Sequence, residues 1–236
     1  MKDLKRVLIK LSGEALSGGK GHGLDEPECV NIAGQIKTLK ERGMQIAIVI
    51  GGGNFWRGRE SSKIIERTRS DQVGMLGTVM NCIYFSEVLE TLGVKTRVFT
   101  PFVCGTFSEP FSKKAAVAAL EAGEVVFFAG GTGHPYFSTD TGTSLRAIEI
   151  EADAILLAKA VDGIYDSDPK TNPDAKKFDR ISIEEVVDKR LKATDLASSI
   201  MCMENHMPML VFGLSGENSI IKALTDEFDG TYVYTE

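Results

Sequence analysis

Lys10 is the residue whose surroundings are least ordinary for its type. It stands inside the apolar run Val7-Leu8-Ile9-Lys10-Leu11, three positions ahead of Gly13. A lysine in a buried strand is rarely left without a partner, and an ammonium group beside a glycine turn suits a phosphate. The same placement fits a lysine that snorkels from a sheet edge. Two more glycine turns close apolar runs. Residues 46–50 lead into Gly51-Gly52-Gly53-Asn54, and residues 125–129 into Gly130-Gly131-Thr132-Gly133. Consecutive glycines leave backbone N–H groups unshielded, and such groups before a helix form an anion nest. Arg57 follows the second turn and can grip a phosphate with two nitrogen donors; the alternative is a solvated surface arginine.

Residues 131–140 carry hydroxyls, two aromatic rings and a terminal acid, Asp140. Thr139 or Asp140 is expected to cap the helix that follows, and a helix start is also a place where a transferring phosphoryl group is stabilised. Asp140 therefore reads equally as a cap or as a site residue. In residues 161–169, Asp162-Gly163 marks a tight turn. There Tyr165 can pack on a base, and Asp168 can take a ribose hydroxyl or hold Mg²⁺ through water; a plain Asp-rich turn is the competing reading.

These residues need elements to hold them. Short apolar runs bounded by glycine read as buried strands: 7–11, 45–50, 95–99, 124–129, 154–158, 209–212 and 231–234. Between them, 26–42, 71–92, 112–121, 140–151, 182–189, 195–205 and 219–224 read as helices. Residues 57–70 are charged and weakly periodic and read as a mobile segment. Residues 163–181 read as an exposed loop. Strand–helix alternation predicts an α/β fold, an open, mostly parallel sheet sandwiched between helices. In such a sheet the glycine turns gather at the carboxyl edge of the strands, where ligands bind. Three of them suggest a large, multiply phosphorylated ligand. Neither GxxxxGK followed by Ser or Thr nor GxGxxG occurs, so the P-loop and dinucleotide fingerprints are excluded.

Composition narrows the class. The 236 residues are 43% hydrophobic and 25% charged, with a net charge of −6. That is an ordinary globular balance, and the acidic sign argues against general nucleic-acid binding. Cys29, Cys82, Cys104 and Cys202 show no CxxC spacing and read as free thiols of a reducing cytosol. His22, His134 and His206 offer no metal cluster, so no residue is assigned directly to a metal. No stretch approaches the length of a membrane span, and the N-terminal apolar run is too short for a signal peptide. A cytoplasmic location is expected.

Taken together, KLSGEAL (10–16), VIGGGN with RG (49–54, 57–58), DQVGMLGTVMN (71–81), AGGTGHPYFSTDT (129–141), RAIEIEAD (146–153) and VDGIYDSDP (161–169) resemble the bacterial UMP kinases of the amino acid kinase superfamily, nearly end to end and in the same order. The resemblance implies one amino acid kinase domain over 1–236, with an acceptor-binding lobe of about 1–150 and an ATP-binding lobe of about 151–236. It implies phosphoryl transfer from ATP with Mg²⁺ to UMP in pyrimidine nucleotide biosynthesis, GTP activation, UTP inhibition and a homohexamer built from dimers. By position, Lys10, Leu11, Ser12, Gly13, Gly53 and Arg57 resemble the ATP-phosphate site, and Lys159, Tyr165 and Asp168 the adenosine side. Gly52, Asp71, Thr132, Gly133, His134, Pro135, Tyr136, Phe137, Ser138 and Thr139 resemble the UMP site. Lys10, Arg57 and Asp140 are the implied catalytic set. Gly18, Gly19, Lys20, Gly21, His22 and Gly23 resemble the loop tied to GTP regulation. Lys159 stands where relatives often carry a hydroxyl, His134 where they often carry Asn, and the 58–70 segment is one residue shorter than in enterobacterial relatives. The competing readings are another small-molecule kinase of the superfamily and a non-catalytic nucleotide-binding or storage protein on the same fold.

Overall fold

The apolar runs become the inner strands of a nine-stranded sheet. In this computed structural model, which describes residues 4–57, 64–191 and 194–235, the strands are β1 (Arg6–Leu11), β2 (Gln45–Ile50), β3 (Thr96–Thr100), β4 (Glu109–Pro110), β5 (Val125–Phe128), β6 (Ala154–Lys159), β7 (Arg180–Ser182), β8 (Met209–Gly213) and β9 (Gly230–Tyr234). Their order is β4-β3-β5-β2-β1-β6-β8-β9-β7. Neighbours run parallel except β8 and β9, which are antiparallel. The helices are α1 (Gly13–Ser17), α2 (Glu26–Glu41), α3 (Arg67–Thr91), α4 (Lys113–Glu121), α5 (Thr139–Glu149), α6 (Ile183–Asp188), α7 (Leu196–Glu204) and α8 (Ser219–Lys222). The expected sheet sandwiched between helices is the fold observed.

Strand alternation splits the core in two. Val7, Ile9 and Leu11 of β1 pack with Ile32, Ile36, Cys82, Phe85 and Ile220 beneath α2, α3 and α8. Leu8 faces the other way and packs with Ala116, Leu120, Ala147, Ile183 and Cys202 of α4 to α7. Lys10 is in phase with Leu8 but lies at the carboxyl end of its strand, where α5 begins. Alternation therefore carries a lysine onto a buried face at a place where a helix N-terminus can supply its partner.

Several elements depart from the sequence reading. Helix α3 begins at Arg67, within the stretch expected to be mobile, because the Glu66 carboxylate accepts from the N–H groups of Thr68 and Arg69 and caps it. Residues 58–63 of that stretch, including Gly58 of the RG pair, lie outside the described residues. Helix α5 is capped by Ser138, one residue before the two expected caps: its Oγ accepts from the N–H of Asp140 at 3.0 Å and of Thr141 at 3.2 Å. Helix α1 and strands β4 and β7 carried no periodic signal, being too short to show one. The Gly18–Lys20 turn and its neighbours hold more internal ties than a run of glycines suggests. Gly23 N–H donates to the Asn54 carbonyl, Asn54 Nδ2 donates to the Gly23 carbonyl, and Lys20 pairs with Asp25 at 3.0 Å.

Of the apolar residues that mark α3, Val79 and Leu89 are buried, whereas Val73, Leu76, Met80 and Ile83 are 37–51% exposed. They recur at a helical spacing on one face, away from the sheet. Cys29, Cys82 and Cys202 are buried free thiols, and burial pushes them up to about 11, 12 and 11 respectively, which keeps them protonated and unreactive.

Candidate active site

A cleft of about 550 Å³ opens at the carboxyl edge of β1, β2 and β5. Lys10 lies within it, its Nζ 2.9 Å from Asp140 Oδ1, with 13% and 18% of the two side chains exposed. Ser138, not Asp140, caps α5. Because Ser138 satisfies the helix start, the Asp140 carboxylate can turn to the lysine.

The glycine turns build the adjoining wall by close approach. A Cβ on Gly13 would lie 2.7 Å from the Gly51 carbonyl oxygen, and one on Gly52 would lie 2.6 Å from the Gly74 oxygen of α3. Any other residue would push these segments apart. The turn is pinned by two buried asparagines. Asn54 and Asn81 exchange side-chain hydrogen bonds of 2.9 and 2.7 Å, and Asn81 Nδ2 also donates to the Gly51 carbonyl at 2.7 Å. Arg57 stands at the rim, 2.6 Å from Glu14 Oε1.

Opposite lies the 131–139 loop. Gly130 N–H donates to Thr78 Oγ1 at 2.7 Å, and Tyr136 N–H donates to Asp71 Oδ2 at 2.9 Å. Tyr136 takes a left-handed backbone angle, φ 73°, which a bulky residue adopts only when its surroundings impose it. Asp71 and Arg67 are the groups that touch it here. The Arg67 guanidinium lies 4.6 Å from the Tyr136 ring centre and pairs with Asp71 at 3.6 Å. Asp71 sits in the second turn of α3 rather than opening it, yet it faces the cleft as expected.

Lys10, Gly52, Gly53, Arg57, Asp71, Thr132, His134, Tyr136, Phe137, Ser138, Thr139 and Asp140 thus line one cleft. Leu11 does not: its side chain is wholly buried in the core. Ser12 caps α1, accepting from Ala15 N–H at 3.1 Å. Gly133 and Pro135 belong to the loop without lining the cleft. Lys159 ends β6, two residues past Leu157, the register partner of Lys10. The two lysines therefore share a face. Burial holds the Lys159 ammonium below its ordinary value, opposed by the negative charges of Asp140 and Asp195, while Lys10 adds to the depression.

Tyr165 and Asp168 are apart from this cleft. The Tyr165 hydroxyl donates to Asp162 Oδ1 at 2.8 Å, and Asp162 pairs with Lys177 at 3.0 Å. Asp162, Gly213, Lys222 and Asp229 line a second cleft of about 250 Å³, and the register sets Gly213 opposite Lys159. Asp168 Oδ1 accepts from Lys170 N–H at 3.0 Å and organises its own turn.

Four polar residues were given no individual role by the sequence reading. Glu14 holds Arg57, and Thr78, Asn81 and Asp195 hold loops. Asp195 marked only a helix start in sequence, with no glycine or motif beside it. In space it lines the cleft and accepts from Thr141 Oγ1, Ser138 Oγ and Ser198 N–H. Its partners are 54 and 57 positions away apart from Ser198, a separation no local pattern carries.

The amino acid kinase family model matches residues 5–213. The chain belongs to the amino acid kinase family. It is 47% identical over 234 residues to the uridylate kinase of Pediococcus pentosaceus, a match covering 98% of this chain and 97% of that protein. Among solved structures, it is similar to UMP kinase from Bacillus anthracis, with a TM-score of 0.94 and 35% identity over 99% of this chain and 97% of the other. UMP kinase from Ureaplasma parvum superposes with a TM-score of 0.93 at 33% identity, covering 98% and 99%. Among the described residues, no helix is long and apolar enough to cross a membrane.

Proposed function

We propose that this chain is a UMP kinase, transferring the terminal phosphoryl group of ATP to UMP at the Lys10–Asp140 cleft. The observation that carries the reading is a largely buried lysine paired with a helix-start carboxylate, set between the Gly51–Gly53 turn and the 131–139 loop. An oxygen of the UMP phosphate attacks the terminal phosphorus of ATP, the bond to the bridging oxygen breaks, and UDP and ADP leave. The attacking oxygen is already ionised, so no strong general base is needed, and catalysis rests on positioning and charge. Lys10 neutralises charge on the transferring group, Asp140 orients Lys10, and Arg57, swinging from Glu14, clamps phosphate oxygens. Lys159 adds a second cation on the same sheet face.

Uridine belongs to the side formed by Asp71, Gly52 and residues 132–139, where Asp71 accepts from the ribose hydroxyls and the loop reads the base. ATP enters from the carboxyl ends of β6 and β8. Ser12, Gly13 and Gly53 bring backbone N–H groups to its phosphates, and the second cleft takes its nucleoside beside Asp162 and Tyr165. The acceptor and donor lobes, about 1–150 and 151–236, meet along β1 and β6. Asp140 and Glu14 offer the oxygen donors that Mg²⁺ prefers alongside phosphates; the ion would supply further charge neutralisation at the transferring group. The likeness to UMP kinases also supports GTP activation through residues 18–23, UTP inhibition, a homohexamer, a cytoplasmic location and a place in pyrimidine nucleotide biosynthesis. The exposed α3 stripe is the surface that such an assembly would cover.

A coupled ADP-release assay with UMP, CMP, dTMP, glutamate and acetylglutamate side by side tests the acceptor. UMP should be turned over far faster than the others. Turnover of an amino acid instead would make the chain another small-molecule kinase of the family, and turnover of none would favour a nucleotide-binding protein without catalysis.

A further inference from the structure

Two helix starts meet beside the cleft. Helix α5 begins at Ser138 and α7 at Asp195, and the Asp195 carboxylate spans them. Its Oδ1 accepts from Ser198 N–H at 2.9 Å and so caps α7. Its Oδ2 accepts from Thr141 Oγ1 at 3.0 Å and from the Ser138 hydroxyl. Ser138 has one hydrogen to donate, and Asp195 takes it. The Ser138 lone pairs are thereby aimed at the N–H groups of Asp140 and Thr141. Those two amides fix the first turn of α5, from which the Asp140 carboxylate reaches Lys10.

Holding the helices together does not require this carboxylate. Further along the same seam Ser144 Oγ and Ser198 Oγ lie 2.7 Å apart, and Ser144 Oγ lies 3.1 Å from Cys202 Sγ, all buried. What Asp195 adds is a charged acceptor at the cleft end of the seam, where its charge is felt by Lys159.

We infer that Asp195 is a positioning residue for phosphoryl transfer. It sets the direction of the Ser138 hydroxyl, Ser138 sets the α5 N-terminus, and the N-terminus sets the Asp140–Lys10 pair. This rests on reading that pair as the group that handles the transferring phosphate.

Asp195→Asn keeps the shape and leaves one oxygen to cap α7. Its NH₂ group turns a donor toward Ser138, whose hydroxyl must then accept from it in competition with the two amides. Expected is a fall in kcat of about ten- to hundredfold, as small misplacements at a reacting centre produce, with KM for UMP and ATP changed by less than about threefold. Amide exchange should quicken at Asp140 and Thr141 while Ser198 stays protected. Ser138→Ala alone should cost a similar factor in kcat. In the Ser138→Ala background, Asp195→Asn should add less than about threefold, because residues acting through one another are not additive. A full cost of Asp195→Asn in that background would mean that Asp195 acts on substrate or ion directly and would overturn the inference. So would unchanged kcat and unchanged exchange at Asp140 in Asp195→Asn. If Asp195→Asn does not fold, exchange at Asp140 in Ser138→Ala decides the relay: protection equal to wild type overturns it. Lys10→Ala measured in parallel separates the two claims. Retained turnover there would defeat the reading of the Lys10–Asp140 pair, and the amide exchange would still decide the relay.

Discussion

Asp71 and Lys159 carry the two residue-scale predictions of the proposed function. Asp71 Oδ2 accepts from the Tyr136 amide at the cleft wall, on the side proposed to take UMP. A hydrogen bond between a carboxylate and ribose hydroxyls contributes about 1.5–3 kcal/mol. Asp71→Asn should therefore raise KM for UMP about ten- to hundredfold and leave KM for ATP nearly unchanged. Separate titration of the two substrates checks this, and a loss confined to ATP would move Asp71 to the donor side. Lys159 is costly where it stands. Burial depresses its pKa in the folded chain, so the unfolded chain holds that proton more tightly. At any pH below the folded pKa the charged lysine therefore lowers stability. The penalty fades as pH climbs toward the ordinary lysine range. Lys159→Met should hold or raise Tm at neutral pH, flatten the alkaline rise in stability, and cut turnover by about tenfold or more. Thermal melts across pH, paired with initial rates, test it; a clear drop in Tm at neutral pH would refute the assigned cost.

At the scale of elements, the inner strands were legible because apolar runs ending in glycine have few other uses. The short elements were not. Gly13–Ser17 carries one turn of helix, too little for a periodic pattern, and the first turn of α3 is Arg67-Thr68-Arg69-Ser70, with nothing apolar to announce it. What starts that helix is the Glu66 side chain, a contact rather than a composition. The apolar face of α3 was legible as helical but not as exposed. Val73, Leu76, Met80 and Ile83 point away from the sheet, and exposed apolar side chains repeated along one helix face are the kind of surface that an assembly would cover. If a second copy covers it, the double change Leu76→Glu and Met80→Glu should reduce the particle from a multiple of the 25.6 kDa chain to the single chain, with the circular dichroism of the fold retained. Multi-angle light scattering reads this directly. A wild-type protein already at the mass of one chain would defeat the assembly, and an unchanged multiple in the variant would move the interface elsewhere.

For the molecule as a whole, the glycine turns, the lysine and the 131–140 segment pointed to one edge of one sheet, and the fold brings them there. The parallel order β5-β2-β1-β6-β8 places every one of those turns at the same carboxyl edge. Sequence could not supply the cross-links that tune the edge, such as Asn54 with Asn81 or Asp195 with Ser138, because each joins residues far apart in the chain. Nor could it show that Ser138, by taking over the cap, lets Asp140 turn to Lys10. In the proposed function this edge stabilises the phosphoryl group in transfer through Lys10. Steady-state kinetics of Lys10→Ala with UMP and ATP are the sharpest test. A charge aimed at the transition state contributes about 3–4 kcal/mol, so kcat should fall at least about a hundredfold while KM for UMP moves little. A folded variant that loses less than about tenfold in kcat would rule out that role for Lys10.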